Sequence, residues 1–306
     1  MFVLRVLDVI GSTPLVELRR LVPSNSARVL VKLEYMNPTG SHKDRVAFYM
    51  IKDAEERGLL RPGSVVVEAS SGNTGVSVAF VSRYLGYRAI VVIPKGTSKD
   101  KVFLIKVLGA EVVEGSDDPE SPNYYVRLAE ELARKYGGVF LNQYENKANI
   151  RAHYETTGPE IWRDTGGSID AFVMGVGTGG TITGVGRYLK ERRKDVLIVA
   201  VTPKGSPLAG GKVGDRIEGL LYSDYPKLLD RSVVDKVIEV SLEDALRTCI
   251  KLAREEGILA GPSTGANIYA ALMIARELGH GKTVVTLAAD SILRYSTLLA
   301  TQTKTI

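Results

Sequence analysis

Short runs of β-branched and aliphatic residues alternate with amphipathic stretches along almost the whole chain, and this alternation restricts the fold more than any other property of the sequence. The runs lie at residues 28–34, 64–68, 89–93, 111–114, 171–174, 197–201 and 283–287, each of strand length and rich in Val and Ile. Between them, apolar residues recur at helical spacing over residues 44–57, 74–85, 99–108, 124–135, 181–192 and 242–256. A strand followed by a helix, repeated, implies a mostly parallel sheet covered on both faces, because parallel strands need a crossover and a helix supplies it. The pattern runs twice, before and after Asn149, with residues 137–149 as a passage between the halves. The expected fold class is α/β, with two three-layer αβα lobes, mostly parallel sheets, and a cleft between them. At ~150 residues per domain, 306 residues are enough for two lobes with substantial cores.

Composition excludes several classes. One cysteine, Cys249, rules out an intramolecular disulfide and a thiolate metal cluster, and its place in a helical pattern marks it as a small buried hydrophobe. The net charge of +5 is spread along helices that interleave Lys and Arg with Glu and Asp, a solvated surface and not a nucleic-acid footprint. No apolar run reaches the ~18 uncharged residues of a membrane span, and the start, Met1-Phe-Val-Leu-Arg5, has no signal-peptide pattern. A cytoplasmic protein with no nucleic-acid or membrane partner is expected, and scarce glutamine with abundant charge matches thermophile composition.

Three polar segments stand at the carboxyl ends of strands or in loops, where ligands of such sheets bind: Asn37-Pro-Thr-Gly-Ser-His-Lys-Asp-Arg45, Ser70-Ser-Gly-Asn-Thr-Gly75 and Gly175-Val-Gly-Thr-Gly-Gly-Thr181. The first carries Lys43 at a helix start. A lone lysine there is usually a solvated surface group; a Gly-Ser approach just before a helix places this one in the cleft, where a neutral amine can attack an aldehyde. The second opens a helix and offers N–H groups and hydroxyls to an anion without a basic side chain, which suits a carboxylate; it is also readable as a plain N-cap with Thr74 capping. The third satisfies the dinucleotide fingerprint, yet the next strand ends Val199-Ala-Val-Thr-Pro203 without the acid that would hold a ribose, and no Gly-Lys-Ser/Thr follows. A single-phosphate cradle at a helix N-terminus, a dinucleotide site and a structural turn all remain open. One lysine, one carboxylate cradle and one phosphate cradle together suit a phosphorylated aldehyde cofactor held as a Schiff base.

The same segments, together with Asn142-Gln-Tyr-Glu-Asn146, His153 followed by Thr156-Thr-Gly-Pro-Glu-Ile161, Thr181-Ile-Thr-Gly184 and Gly261-Pro-Ser-Thr-Gly-Ala266, occur in the order of one enzyme group. The chain resembles the pyridoxal-phosphate enzymes of the cysteine synthase and cystathionine β-synthase group from Ile10 to about Tyr295. The resemblance implies fold type II (tryptophan synthase β-like), with a smaller mobile domain over 37–149 that closes on the substrate carboxylate and a larger one from 1–36 and 150–306 that holds the phosphate and pyridine nitrogen of pyridoxal 5'-phosphate. It implies Lys43 as Schiff-base lysine and proton carrier, Asn73 on the ring 3'-oxygen, Gly177, Thr178, Gly179, Gly180 and Thr181 on the phosphate, and Ser263 on the ring nitrogen. It assigns the substrate carboxylate to Ser70, Ser71, Gly72, Asn73, Thr74 and Gln143. The implied reaction is β-replacement of an O-activated L-serine by sulfide through an aminoacrylate to give L-cysteine, in a homodimer that takes only small-molecule substrates.

Departures bear on the substrate. Where O-acetylserine enzymes carry Gly-Ile-Gly-Ala-Gly-Phe, this chain reads Gly219-Leu-Leu-Tyr-Ser-Asp224, and the bulkier Leu221 and Tyr222 are expected to reshape the pocket. Arg216-Ile-Glu-Gly219 is similar to a stretch of archaeal O-phosphoserine enzymes in which an arginine meets the substrate phosphate, and a guanidinium suits that dianion. Arg216 is equally readable as a surface residue paired with Asp215 or Glu218. Tyr222 and residues 229–236 are similar to cystathionine β-synthases, so homocysteine as nucleophile and a serine or threonine dehydratase activity stay open beside O-phosphoserine and O-acetylserine. Asp290-Ser-Ile-Leu-Arg-Tyr295 stands where the group has Asp-Ser-Gly-Glu-Arg-Tyr.

Overall fold

The computed structural model describes residues 4–221, 223, 225–296 and 299. Its strands are β1 (Leu15–Glu17), β2 (Arg28–Lys32), β3 (Val65–Ala69), β4 (Arg88–Pro94), β5 (Glu111–Gly115), β6 (Val139–Phe140), β7 (Ala171–Gly175), β8 (Leu197–Pro203), β9 (Lys236–Val240) and β10 (Thr283–Leu287). Its α-helices are α1 (Lys43–Glu56), α2 (Asn73–Tyr84), α3 (Lys99–Val107), α4 (Tyr125–Lys135), α5 (Ala148–Ala152), α6 (Gly158–Asp164), α7 (Gly180–Arg192), α8 (Leu242–Lys251) and α9 (Pro262–Leu278). The seven expected strands and six expected helices all form, with ends shifted by one or two residues except after α8, where a π-helical turn, Leu252–Glu256, completes the segment before Gly257 in the left-handed region ends it.

The chain divides into two compact units, one of Met1–Ile10 with Asn37–Asn149 and the other of Gly11–Met36 with Ile150–Ile306. Residues 1–10, expected in the second unit, group with the first because Leu7 and Ile10 pack into the apolar cluster built on Val46, Ala47, Met50 and Ile51 of α1.

The first unit contains an all-parallel sheet in the order β5-β4-β3-β6. Adjacent residues of a strand point to opposite faces. Val66 and Val67 of β3 and Ile90 and Val91 of β4 are all fully buried, so both faces are covered. On one face Val67, Ala69, Ile90 and Val92 meet Ala129 and Ala133 of α4. On the other, Val91 and Ile93 meet Val76 and Ala79 of α2 and Ile105 of α3. Each such Val or Ile contributes about 1.5–3 kcal/mol of burial, offset by the ordering of the chain.

The second unit holds a six-stranded sheet in the order β1-β2-β10-β7-β8-β9, parallel except for the antiparallel edge pair β1 and β2. Phe172, Ile198 and Val285 pack on Ile182, Val185 and Leu189 of α7. Val173, Val199, Val201 and Val284 pack toward Ile268, Ala271 and Ala275 of α9. That helix escapes sequence periodicity because every residue from Pro262 to Ile268 is buried, all round its first two turns, and several of them are polar or small, which blurs the amphipathic stripe. Strands β1 and β6 escape it because two or three residues carry no period.

Cys249 is a core residue, as expected: its Sγ reaches the Ala260 carbonyl at 3.0 Å, and burial pushes the thiol up to about 12. No helix of the described residues is long and apolar enough to cross a membrane.

Candidate active site

In the first unit, Lys43 is the first residue of α1, and its backbone N–H donates to the Ser41 hydroxyl at 3.1 Å. Ser41, His42, Asp44 and Arg45 around it are buried while Lys43 is only half-buried, so the helix start seats its neighbours and leaves the lysine toward the open side. Asp44 explains why a lysine–aspartate pair stands here. Its fully buried carboxylate accepts from the Thr39 amide at 2.7 Å, the Thr39 hydroxyl at 2.5 Å and the Ser77 hydroxyl at 2.6 Å, which ties the segment before α1 to α2. Three hydrogen-bond donors orient this carboxylate.

Between β3 and α2 runs the Ser70–Ser71–Gly72 loop. Ser70, and not Thr74, caps the helix: its hydroxyl accepts from the amides of Gly72 at 3.1 Å and Gly75 at 3.0 Å. The Thr74 hydroxyl donates instead to Gln143 Oε1 at 2.6 Å, and Gln143 Nε2 donates to the Ala69 carbonyl at 3.1 Å. The Gln143 amide therefore spans the loop from the last residue of β3 to the first turn of α2. A methyl group on Gly75 would lie 2.7 Å from Val91 Cγ1, so glycine is required for α2 to approach β4 this closely. Ser71 is exposed and Asn73 half-buried, and the loop amides sit at the positive end of a twelve-residue helix.

Two ionisable residues that motif reading did not find flank this loop. Lys101, almost fully buried on α3, brings its Nζ within 3.8 Å of where a Cβ on Gly72 would stand. The cradle, expected to lack a basic side chain, has one beside it. The signal was available: Lys101 lies four residues before the buried Ile105, on the same face of α3. Glu68, the residue before Ala69, is fully buried, and burial pushes its carboxyl up to about 8 against the pull of the backbone amides around it.

In the second unit, the glycine loop leaves the end of β7 and enters α7. Gly179 is the N-cap, at φ +89°, and a Cβ there would lie 2.6 Å from the Leu229 amide nitrogen, so both conformation and space demand glycine. A Cβ on Gly177 would lie 2.7 Å from the Gly219 carbonyl. Bare glycines leave the amides of this turn uncovered at the positive end of a thirteen-residue helix, and Thr178 and Thr181 flank them. Thr181 is held from behind by His153, whose Nε2 lies 3.1 Å from Thr181 Oγ1 while its Nδ1 lies 3.0 Å from Thr157 Oγ1. His153 begins a π-helical turn, His153–Thr157, a distortion frequent at functional sites. Its motif was legible in the sequence, but this role was not.

Ser263, nearly buried in the first turn of α9, lies beside Gly219: a Cβ on that glycine would stand 3.5 Å from the Ser263 hydroxyl. The segment that carries Gly219 also crosses the glycine loop, since the Leu221 amide donates to the Val176 carbonyl at 2.9 Å. Arg216, three residues earlier, is exposed, while Ile217 anchors the segment in the core. Asp215 does not serve only as a surface acid, because its carboxylate accepts from the Leu242 amide at 2.8 Å. Tyr222 and Asp224 lie outside the described residues.

The second unit thus places the uncovered amides of one helix start near a buried hydroxyl, a donor set that fits the phosphate and ring nitrogen of pyridoxal phosphate. A family model described as pyridoxal-phosphate dependent enzyme matches residues 6–290. The chain is 46% identical over 294 residues to a protein of Bacillus subtilis (strain 168) named probable cysteine synthase, with 94% of each chain covered. Its fold matches the crystal structure of O-ureido-L-serine synthase with a TM-score of 0.91 at 40% identity, covering 95% of this chain and 93% of that one. It matches a hydrogen sulfide-producing enzyme of Fusobacterium nucleatum with a TM-score of 0.90 at 34% identity, covering 96% and 98%.

Proposed function

The chain belongs to the pyridoxal-phosphate dependent enzyme family, and from that membership we propose that it is a cysteine synthase, a transferase that replaces the β-substituent of O-phospho-L-serine or O-acetyl-L-serine by sulfide. The observation that carries the reading is the Ser70–Thr74 loop bridged by Gln143, an arrangement of donors that suits an amino-acid carboxylate, in the same unit as the half-buried Lys43.

Pyridoxal phosphate, when bound, supplies an electron sink that makes the substrate Cα–H acidic. Gly177, Thr178, Gly179, Gly180 and Thr181 would hold its phosphate, Ser263 its ring nitrogen, Asn73 its 3'-oxygen and Lys43 its aldehyde carbon. A neutral hydroxyl at the ring nitrogen moderates the sink, which suits β-elimination and replacement. Lys43 Nζ, as a neutral amine, takes the proton from the substrate Cα. Ser70, Ser71, Gly72, Asn73 and Thr74 bind the substrate carboxylate with Gln143. The donors there are the loop amides other than that of Gly72, which the Ser70 hydroxyl takes, with the Ser70 proton and the second Nε2 proton of Gln143, because the Thr74 proton is already committed to Gln143. Arg216 supports O-phosphoserine as the substrate, since it is exposed on the segment that carries Gly219 beside Ser263 and a guanidinium suits a phosphate dianion.

The test is turnover of the cofactor-loaded protein with O-phospho-L-serine and, separately, O-acetyl-L-serine, with sulfide, homocysteine or water as acceptor, and with products identified by chromatography. Cysteine from the sulfide arm, lost in Lys43→Ala, is the expected result. Cystathionine or a keto acid as main product, or turnover that survives Lys43→Ala, overturns the proposal. Loss of the phospho substrate alone in Arg216→Ala assigns that residue.

A further inference from the structure

A carboxyl group without a cation, sealed in the interior, is more costly than a hydrocarbon of the same size, so its position calls for a physical reason. Glu68 is fully buried at the end of β3, on the strand face opposite Val67 and Ala69. One carboxyl oxygen, Oε1, accepts from the Gln143 amide at 3.3 Å, and the Asn142 amide also acts on this carboxyl; the other, Oε2, meets no hydrogen-bond partner. The turn it faces adopts an uncommon conformation. Asn142 stands at φ +52°, in the left-handed region, which costs residues with a Cβ more than it costs glycine, asparagine less than most. Before it, the Leu141 amide closes onto the Val67 carbonyl at 3.0 Å; after it, the Gln143 carbonyl accepts from Asn149 Nδ2 at 2.9 Å. With both sides pinned, the direction of the Gln143 side chain depends on how the Asn142–Gln143 peptide is turned, and Glu68 is the group that receives it.

We infer that Glu68 is a positioning residue: by accepting from the Asn142–Gln143 turn it holds Asn142 left-handed, aims the Gln143 amide across the Ser70–Thr74 loop, and so sets the affinity for the amino-acid substrate without touching it. This rests on the reading of that loop as the carboxylate site. Methionine, of similar length, carries no oxygen there, so Glu68→Met takes the acceptor from the turn; glutamine keeps one, since its carbonyl oxygen can stand in place of Oε1 and its N–H₂ in place of the unpartnered Oε2.

The holoenzyme and its Glu68→Met, Glu68→Gln, Gln143→Ala and Glu68→Met/Gln143→Ala variants are assayed with O-phospho-L-serine and O-acetyl-L-serine, together with titration of L-cysteine followed by the visible absorbance of the bound cofactor. Glu68→Met is expected to raise KM for the amino acid and the cysteine Kd by about tenfold, on the order of one lost buried hydrogen bond, with kcat nearly unchanged. Glu68→Gln, which keeps an acceptor oxygen, should stay close to the wild type. The double variant should behave as Gln143→Ala alone, because Glu68 acts through Gln143. Asn142→Gly removes the cost of the left-handed conformation, so Glu68→Met/Asn142→Gly should recover most of the affinity. An unchanged KM in Glu68→Met beside a raised one in Gln143→Ala overturns the inference alone, as does an effect that adds in full to that of Gln143→Ala. A Gln143→Ala variant with unaltered affinity overturns the carboxylate reading beneath it. Failure of both Glu68→Met and its Asn142→Gly partner to fold makes Glu68 a stability residue and overturns the positioning role.

Discussion

The Thr74 hydroxyl and the Gln143 side-chain oxygen meet at 2.6 Å across 69 residues of sequence, in a buried setting where each is the other's partner. The bond joins the helix start that follows β3 to the turn that follows β6, and it commits the hydroxyl proton before any substrate arrives. The pair therefore acts as one bridged donor group, whose remaining amide proton is directed by Thr74.

Thr74→Val keeps the shape of the side chain and removes that bond. The KM for the amino-acid substrate is expected to rise by about fivefold to twentyfold, on the order of one buried hydrogen bond, with the cofactor absorbance unchanged. Thr74→Ser, which retains the hydroxyl, should restore most of the affinity. An unchanged KM in Thr74→Val, by steady-state kinetics, would show that the bridge plays no part in binding.

Glu68 gives stability a pH dependence whose sign is fixed. Its carboxyl is pushed by burial from 4.5 to about 8 in the folded chain. Below pH 4.5 both folded and unfolded chains hold the proton, and this group's stabilisation is fully present. Between 4.5 and about 8 only the folded chain holds it, so stability falls as pH rises, by up to about 1.4 kcal/mol per pH unit. Above that range the slope from this group ends. Urea unfolding of the wild type and Glu68→Gln at several pH values from 5 to 8 should show this component only in the wild type; parallel profiles would refute it.

Lys32 is fully buried, with its Nζ 2.9 Å from Glu160 Oε2, 3.4 Å from Asp164 Oδ2 and 2.8 Å from the Thr13 carbonyl. Glu160 in turn accepts from the amide of Ser12, a residue at φ +48°. Lys32→Met leaves a largely buried carboxylate without its cation and should cost about 3–5 kcal/mol. Lys32→Met/Glu160→Gln should recover part of that loss. The urea midpoints of the three proteins measure both effects, and a loss below about 1 kcal/mol in the single variant would count against the pair as a structural element.

Gly179→Ala forces a Cβ into the left-handed region and against the Leu229 amide, 2.6 Å away. The strain is about 1–3 kcal/mol, and relief by shifting the turn would move the amides proposed to hold the phosphate. Affinity for pyridoxal phosphate, measured by absorbance titration of the cofactor-free chain, should fall at least tenfold, a drop equivalent to about 1.4 kcal/mol. Wild-type affinity in this variant would remove the turn from the cofactor site.

The features legible in the sequence are those set by neighbours within a turn or two of chain. Alternating β-branched runs and amphipathic stretches determined the parallel sheets, because strand and helix periodicity are local properties. The contiguous segments around Lys43, Ser70–Thr74 and Gly177–Thr181 suggested a lysine site and two anion cradles, and the structure places each at the start of a helix, where small and hydroxyl-bearing residues in series leave backbone amides uncovered. What tertiary structure alone decided is which distant side chain supports each segment: Gln143 across Thr74, Lys101 beside Gly72, Glu68 under the Asn142 turn and His153 behind Thr181. These placements follow from the packing of one element over another, and a buried polar group takes whatever partner that packing brings within reach. Residues 1–10 obey the same logic, since two apolar side chains joined them to the first unit where chain order suggested the second. Local periodicity encodes the elements and the chemistry at their ends, whereas support for that chemistry depends on contacts between residues far apart in the chain, which no local pattern carries.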